Sequence, residues 1–258
     1  MTSKQAVIKL NKNRGETPLE CLERFKIDNP EYKNEKMTYA GRLDPLAEGL
    51  LLVLVGEECK NKAKYLGLDK EYEVDILFGF ATDTYDILGI VKKFSEVGLP
   101  HASEVVPQKT SLIKPGLLHS IRNDIQSFVG KFSQKYPAYS SKYFNKARSG
   151  ELIDEEITEK AVEIKNIELI GEKTILKNHL EKYIIESINL VKGDFRQKEI
   201  LDEWQNVLSR SNLDNWLVVS IRVNCTSGTY MRSLANSIGE KVGIPALALN
   251  IKRTKIYE

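Results

Sequence analysis

Two stretches alternate apolar and polar residues with a period of two, and they constrain the fold more than anything else in the chain. Residues 216–225 (Trp-Leu-Val-Val-Ser-Ile-Arg-Val-Asn-Cys) form the clearest such strand. Residues 70–79 form another, with Tyr72, Val74, Ile76 and Phe78 on one face. Residues 50–55 are continuously apolar and read as a strand buried on both faces. Further strands are expected at 5–11, 87–94, 160–170, 182–192 and 246–257. Helical spacing is read at 57–66, 117–129, 195–208 and 229–242. Thr17-Pro18-Leu19-Glu20 is a capping-box pattern that opens a helix over 18–27. Residues 95–116 carry prolines and read as a connection. Strands outnumber helices, and the alternation that builds parallel sheets is missing. The expected class is α+β, a large mixed sheet with helices packed on it. One domain over 1–258 is expected, with an inserted segment at about 171–215.

Composition excludes several function classes. The 258 residues are 41% hydrophobic and 29% charged, a globular mixture. The six apolar residues at 50–55 are too few to span a bilayer, which takes about 20. No apolar signal region follows Met1, so a cytoplasmic protein without membrane contact is expected. Cys21, Cys59 and Cys225 make no Cys-x-x-Cys pattern, and His101, His119 and His179 are isolated. Neither a disulfide framework nor a metal site is expected. Catalysis would then rest on carboxylate, tyrosine or arginine. Net charge is only +2, but basic residues cluster at Lys9/Lys12/Arg14, Lys60/Lys62/Lys64, Lys142/Lys146/Arg148 and Lys252/Arg253/Lys255. Such patches are either solvated faces or seats for a phosphate backbone.

The most informative segment is Gly41-Arg42-Leu43-Asp44-Pro45-Leu46-Ala47-Glu48-Gly49, running straight into the apolar strand. Pro45 pushes Asp44 to an extended backbone, and two glycines bracket the loop. The loop therefore delivers one carboxylate at the edge of a buried strand. That carboxylate can act as nucleophile or acid/base, or it can cap backbone N–H groups in a turn.

This segment, followed by Gly56-Glu57-Glu58-Cys59-Lys60, resembles the central motif of the TruB-type tRNA pseudouridine synthases. Four more stretches match in the family's order: Lys12-Asn13-Arg14-Gly15, Lys70-Glu71-Tyr72 with Thr82-Asp83-Thr84-Tyr85-Asp86, Tyr136-Pro137-Ala138-Tyr139-Ser140-Ser141-Lys142, and Gly228-Thr229-Tyr230-Met231-Arg232. The resemblance covers about 5–150 and 216–257. It implies a pseudouridine-synthase-like, mainly antiparallel sheet with flanking helices, no cofactor, and a monomer that binds the T-arm of tRNA. The implied reaction is isomerisation of uridine 55. The resemblance makes Asp44 the nucleophile, Arg232 its ion-pair partner and Tyr72 the ring contact on the flipped base. Tyr230 and Ile251 are implied at the pocket. Lys64, Lys142, Lys252 and Arg253 are expected to meet RNA phosphates.

The chain departs from the family in three places. Tyr39-Ala40-Gly41 stands where the family has His-Thr-Gly, so Tyr39 is expected to stack in the space of that histidine. Arg42 gives Gly-Arg-Leu-Asp, which looks like the ribosomal-RNA synthases and suggests a share in base flipping. Residues 171–215 exceed the family's spacing and are expected to form a packed surface helix or an added RNA or partner contact. The chain ends soon after the last catalytic strand, so no C-terminal PUA domain is expected. The alternatives are a synthase acting on ribosomal RNA and a binding module without catalysis.

Overall fold

In the computed structural model, residues 5–95, 115–139 and 157–258 are described. The strands are β1 (Val7–Lys12), β2 (Met37–Ala40), β3 (Ala47–Val55), β4 (Lys70–Phe78), β5 (Phe80–Thr82), β6 (Val91–Phe94), β7 (Gly130–Lys135), β8 (Glu159–Leu176), β9 (Asn215–Cys225) and β10 (Ala246–Ile256). The helices are α1 (Pro18–Asp28), α2 (Lys62–Leu66), α3 (Pro115–Gln126), α4 (Lys177–Leu190), α5 (Gln197–Arg210) and α6 (Met231–Val242). Among the described residues no helix is long and apolar enough to cross a membrane.

The two alternating stretches pair with each other. β4 and β9 run antiparallel from Lys70 opposite Cys225 to Leu77 opposite Val218. The sheet order is β1-β3-β10-β4-β9-β8-β7, with β2 also on β3, and β5 and β6 form a separate ribbon. Every pairing in the large sheet is antiparallel except β3 with β10. This is the expected mixed, mainly antiparallel sheet with flanking helices.

Both faces of the sheet are covered. Tyr72, Val74, Ile76 and Phe78 share one core with Ile121 and Ile125 of α3 and Leu234 and Ile238 of α6. Leu77 points the other way, into a core with Phe80, Trp216, Leu180 and Ile184 of α4 and Trp204 of α5. Each such aliphatic side chain removed from water contributes about 1.5–3 kcal/mol. The capping box at Thr17 forms as read: the Thr17 hydroxyl accepts from the Glu20 N–H at 3.2 Å, and the Glu20 carboxylate accepts from the Thr17 N–H at 2.7 Å.

The structure corrects several local readings. Residues 182–192 are not a strand; they lie largely in α4, whose buried residues Leu180, Ile184, Ser187 and Ile188 recur at helical spacing. The β-branched pair Ile184-Ile185 imitated a strand there. β8 continues to Leu176, pairing with β9 down to Asn215. Residues 171–215, expected as an insertion, are thus a strand extension followed by a helical hairpin. Of residues 87–94 only Val91–Phe94 is strand, and β2, β5 and β7 were not foreseen. The 95–116 connection falls largely outside the described residues.

Candidate active site

The loop of residues 41–46 joins β2 to β3 and hangs from buried donors. The Pro45 carbonyl accepts from the Gly15 N–H at 2.9 Å and from Lys12 Nζ at 3.1 Å. The Gly41 carbonyl accepts from the Arg253 guanidinium at 3.0 Å, and Arg253 Nε also donates to the Leu50 carbonyl at 2.6 Å. Lys12 is 0% and Arg253 1% exposed, so these bonds are made away from water. Leaving such a buried carbonyl unmet costs about 1–3 kcal/mol. Burial pushes the Lys12 ammonium down to about 8, against the pull of the nearby acids Glu16 and Asp44.

The loop presents Asp44 to Arg232, in the first turn of α6. Arg232 Nε donates to Asp44 Oδ2 at 2.8 Å, and the other two guanidinium nitrogens donate to the Thr84 carbonyl at 2.7 Å and the Tyr139 carbonyl at 3.4 Å. Asp86 lies 3.8 Å from the same Nε and is itself bonded by the Thr84 hydroxyl at 2.7 Å and the Leu88 N–H at 3.0 Å. The Arg232 side chain is 4% exposed, that of Asp44 34%. Burial works against the Arg232 charge, but Asp44 and Asp86 outweigh it and its pKa rises. Burial raises the Asp86 carboxyl despite Arg232 beside it.

Asp44 opens onto a cleft of about 360 Å³, with Arg42, Tyr72, Tyr230, Ile251 and Lys160 among its walls. That is the size of a small-ligand site. Tyr72 comes from β4, and burial pushes its phenol above the ordinary tyrosine range. The Arg253 guanidinium lies 6.0 Å from its ring centre. Tyr230 is gripped through its backbone by buried Gln134, whose amide donates to the Tyr230 carbonyl at 3.1 Å and accepts from its N–H at 2.8 Å. Its ring packs on Tyr136 at 5.4 Å. Lys70 lines the far wall, donating to the Leu66 and Leu68 carbonyls, and burial pushes it down to about 8.

A carboxylate clamped by a buried arginine, at the lip of an aromatic-walled cleft, suits attack on a sugar carbon beside a stacked base. The family model for the N-terminal domain of TruB family pseudouridylate synthases matches residues 30–186. The chain belongs to that family. It is thereby an isomerase of the pseudouridine synthase class. Among its relatives are the tRNA pseudouridine synthase B proteins of Borreliella burgdorferi strain ZS7, 27% identical over 248 residues (96% of this chain, 68% of that protein), and of Aquifex aeolicus strain VF5, 27% identical over 249 residues (96% and 67%). The fold is similar to a chain of an H/ACA RNP bound to a substrate RNA containing 2′-deoxyuridine, with TM-score 0.52 and 18% identity. It is also similar to a chain of a Cbf5-Nop10-Gar1 complex, with TM-score 0.53 and 19% identity. Both alignments cover 97% of this chain but under half of the solved chains, 47% and 48%.

Within this TruB-family site the structure brings together Asp44, Arg232, Tyr72, Tyr230, Ile251 and Arg42. The other expected contacts are placed differently. Arg253 lines the same cleft but is only 1% exposed, and its guanidinium is engaged by the Gly41 and Leu50 carbonyls on either side of Asp44. Lys12 is likewise buried rather than part of a basic patch. Tyr39 lines no part of the cleft; its ring packs on the core of Cys21, Leu22 and Val53, with Lys62 Nζ 5.3 Å over it. Lys64 and Lys252 are exposed outside the cleft, and Lys142 lies outside the described residues. Three contributors were not singled out from sequence: Asp86, the Thr84 carbonyl and Gln134. Asp86 and Thr84 stand in a motif that was noted, so their positions carried a signal; Gln134 acts through a contact that only the fold creates.

Proposed function

We propose that this chain converts uridine 55 of the tRNA T-loop to pseudouridine, with Asp44 as nucleophile. The observation that carries the reading is the asymmetry of the Asp44–Arg232 pair. The arginine is immobilised by two backbone carbonyls, while the carboxylate remains open to the cleft. The relatives' names, tRNA pseudouridine synthase B, support tRNA as the substrate class.

The target base leaves its stack at a cost of a few kcal/mol, which contacts in the cleft offset. Asp44 attacks C1′ of the ribose, and the N1–C1′ bond breaks with its electron pair on the base. The base turns within the cleft and C5 attacks C1′, freeing Asp44. The C5 proton passes to solvent and N1 takes up a proton, so the product is an isomer of the substrate. Tyr72, a phenol that keeps its proton at neutral pH and that burial raises further, offers a stacking face and an O–H donor. Tyr230 and Ile251 close the sides, and Arg42, exposed at the mouth, assists extrusion. One copy supplies all these groups, so we read the active unit as a monomer. The α4–α5 hairpin shares a core with the sheet, so we read one catalytic domain.

Mapping pseudouridine by mass spectrometry after carbodiimide derivatisation, which marks the isomer that otherwise shares uridine's mass, in unmodified tRNA transcripts and ribosomal-RNA fragments incubated with the protein, tests the reading. One new pseudouridine at position 55 of the tRNA is expected. Modification of the ribosomal fragments alone would overturn the substrate assignment.

A further inference from the structure

The α4–α5 hairpin straddles the end of the family-model match at residue 186. Over residues 177–210 it carries six Lys or Arg against six Asp or Glu. A segment that gripped RNA phosphates would carry a basic excess. Its connection to the active site is structural. Trp204 of α5 donates its indole N–H to the Ile87 carbonyl at 3.2 Å, inside the loop that carries Asp86. At the start of α5, Arg196 turns back toward Asp44.

Arg196 has φ +62°, a left-handed conformation that disfavours residues with a side chain. Its guanidinium donates to Asp83 Oδ2 at 3.0 Å and lies 4.3 Å over the Tyr139 ring. Asp83 precedes Thr84, whose carbonyl accepts from Arg232 at 2.7 Å, and the Tyr139 carbonyl accepts from Arg232 at 3.4 Å. The far Asp83 oxygen accepts from the Ile90 N–H at 2.9 Å, which closes the 83–90 loop. One side chain of the hairpin therefore touches both segments whose carbonyls hold the arginine of the catalytic pair.

We propose that Arg196 is a positioning residue: by pinning Asp83 and Tyr139 it fixes the two carbonyls that orient Arg232, and through Arg232 the Asp44 carboxylate. This rests on the reading of Asp44 and Arg232 as the catalytic pair. Glycine adopts φ +62° without strain, so Arg196→Gly removes the guanidinium while relaxing the backbone. That substitution separates positioning from stability. Lysine keeps a charge for Asp83 but lacks the planar group that stacks on Tyr139.

The test measures tritium release from C5-labelled tRNA under multiple turnover, with urea unfolding, for wild type, Arg196→Gly and Arg196→Lys. Arg196→Gly is expected to lose about 10- to 100-fold in kcat, the scale of a misplaced catalytic group, with KM and the unfolding midpoint near wild type. Arg196→Lys is expected to recover part of that loss. A kcat within about twofold of wild type overturns the proposal, as does a loss confined to KM, which would mark an RNA contact. A kcat loss matched by lost stability also overturns it. The exchange of the Arg232 Nε–H with water, followed by NMR, reads the orientation without turnover. It should be at least about tenfold faster in Arg196→Gly than in wild type, and equal rates overturn the proposal. A wild type that releases no tritium defeats the reading of tRNA uridine as substrate, and the NMR comparison still decides whether Arg196 orients Arg232.

Discussion

At the scale of residues, the site divides its carboxylates by environment. Asp44 faces the cleft, while Asp86 is buried behind the same guanidinium and serves to hold it. Arg232→Lys should therefore be costly although it keeps a charge. Lysine cannot span Asp44, Thr84 and Tyr139 at once, and kcat should fall about 100-fold with KM for tRNA little changed. Steady-state kinetics showing a kcat near wild type would contradict this. Asp44 and Arg232 were legible in sequence because each sits in a short motif punctuated by glycine or proline, and Tyr72 because it begins the apolar face of an alternating strand. The phosphate contact expected at Arg253 falls on a side chain that is buried and bonded to two backbone carbonyls. Period-two alternation from buried Ile251 past exposed Lys252 already pointed it inward, but a cation next to a cation reads as surface. Gln134 left no local trace, since its role depends on a partner 96 residues away in sequence.

At the scale of elements, the close approach of β3 and β10 places the loop that carries Asp44. Gly49 has φ +101°, and a Cβ there would lie 2.3 Å from the Arg253 carbonyl oxygen. Gly49→Ala combines a left-handed strain with a clash against backbone and should destabilise by about 2–4 kcal/mol in urea unfolding. A variant as stable as wild type would show that the two strands are not so closely seated. Gly89 is needed for space, because a Cβ there would meet the Thr84 hydroxyl at 2.2 Å and Asp83 Oδ1 at 2.7 Å. Long alternating strands such as β4 and β9 were legible because one face of each enters a core. β2 and β7 are short, and most of their residues are not fully buried, so they gave no period to read. In α4 the helical spacing of the buried residues was there to be read, but its isoleucines favoured a strand.

At the scale of the whole molecule, two buried lysines make stability depend on pH. Burial pushes Lys12 and Lys70 from 10.5 to about 8 in the folded chain. Between these values the unfolded chain binds more protons than the folded one, so stability rises as pH rises through that window. Below about 8 both states keep the protons and the burial penalty is constant. Wild type should therefore gain stability relative to Lys70→Met between about pH 7 and about pH 9.5, by urea unfolding at each pH. An unchanged difference would show that Lys70 keeps its proton throughout. The central claim is that Asp44 carries out the isomerisation. Its most direct test is tritium release to water from a tRNA transcript labelled at uridine C5, with wild type and Asp44→Asn side by side and a second transcript lacking the T-loop uridine. Release by wild type from the intact T-loop only, reduced roughly 10⁴-fold or more in Asp44→Asn while tRNA is still bound, is the predicted result. Release by Asp44→Asn at a rate comparable to wild type would contradict it.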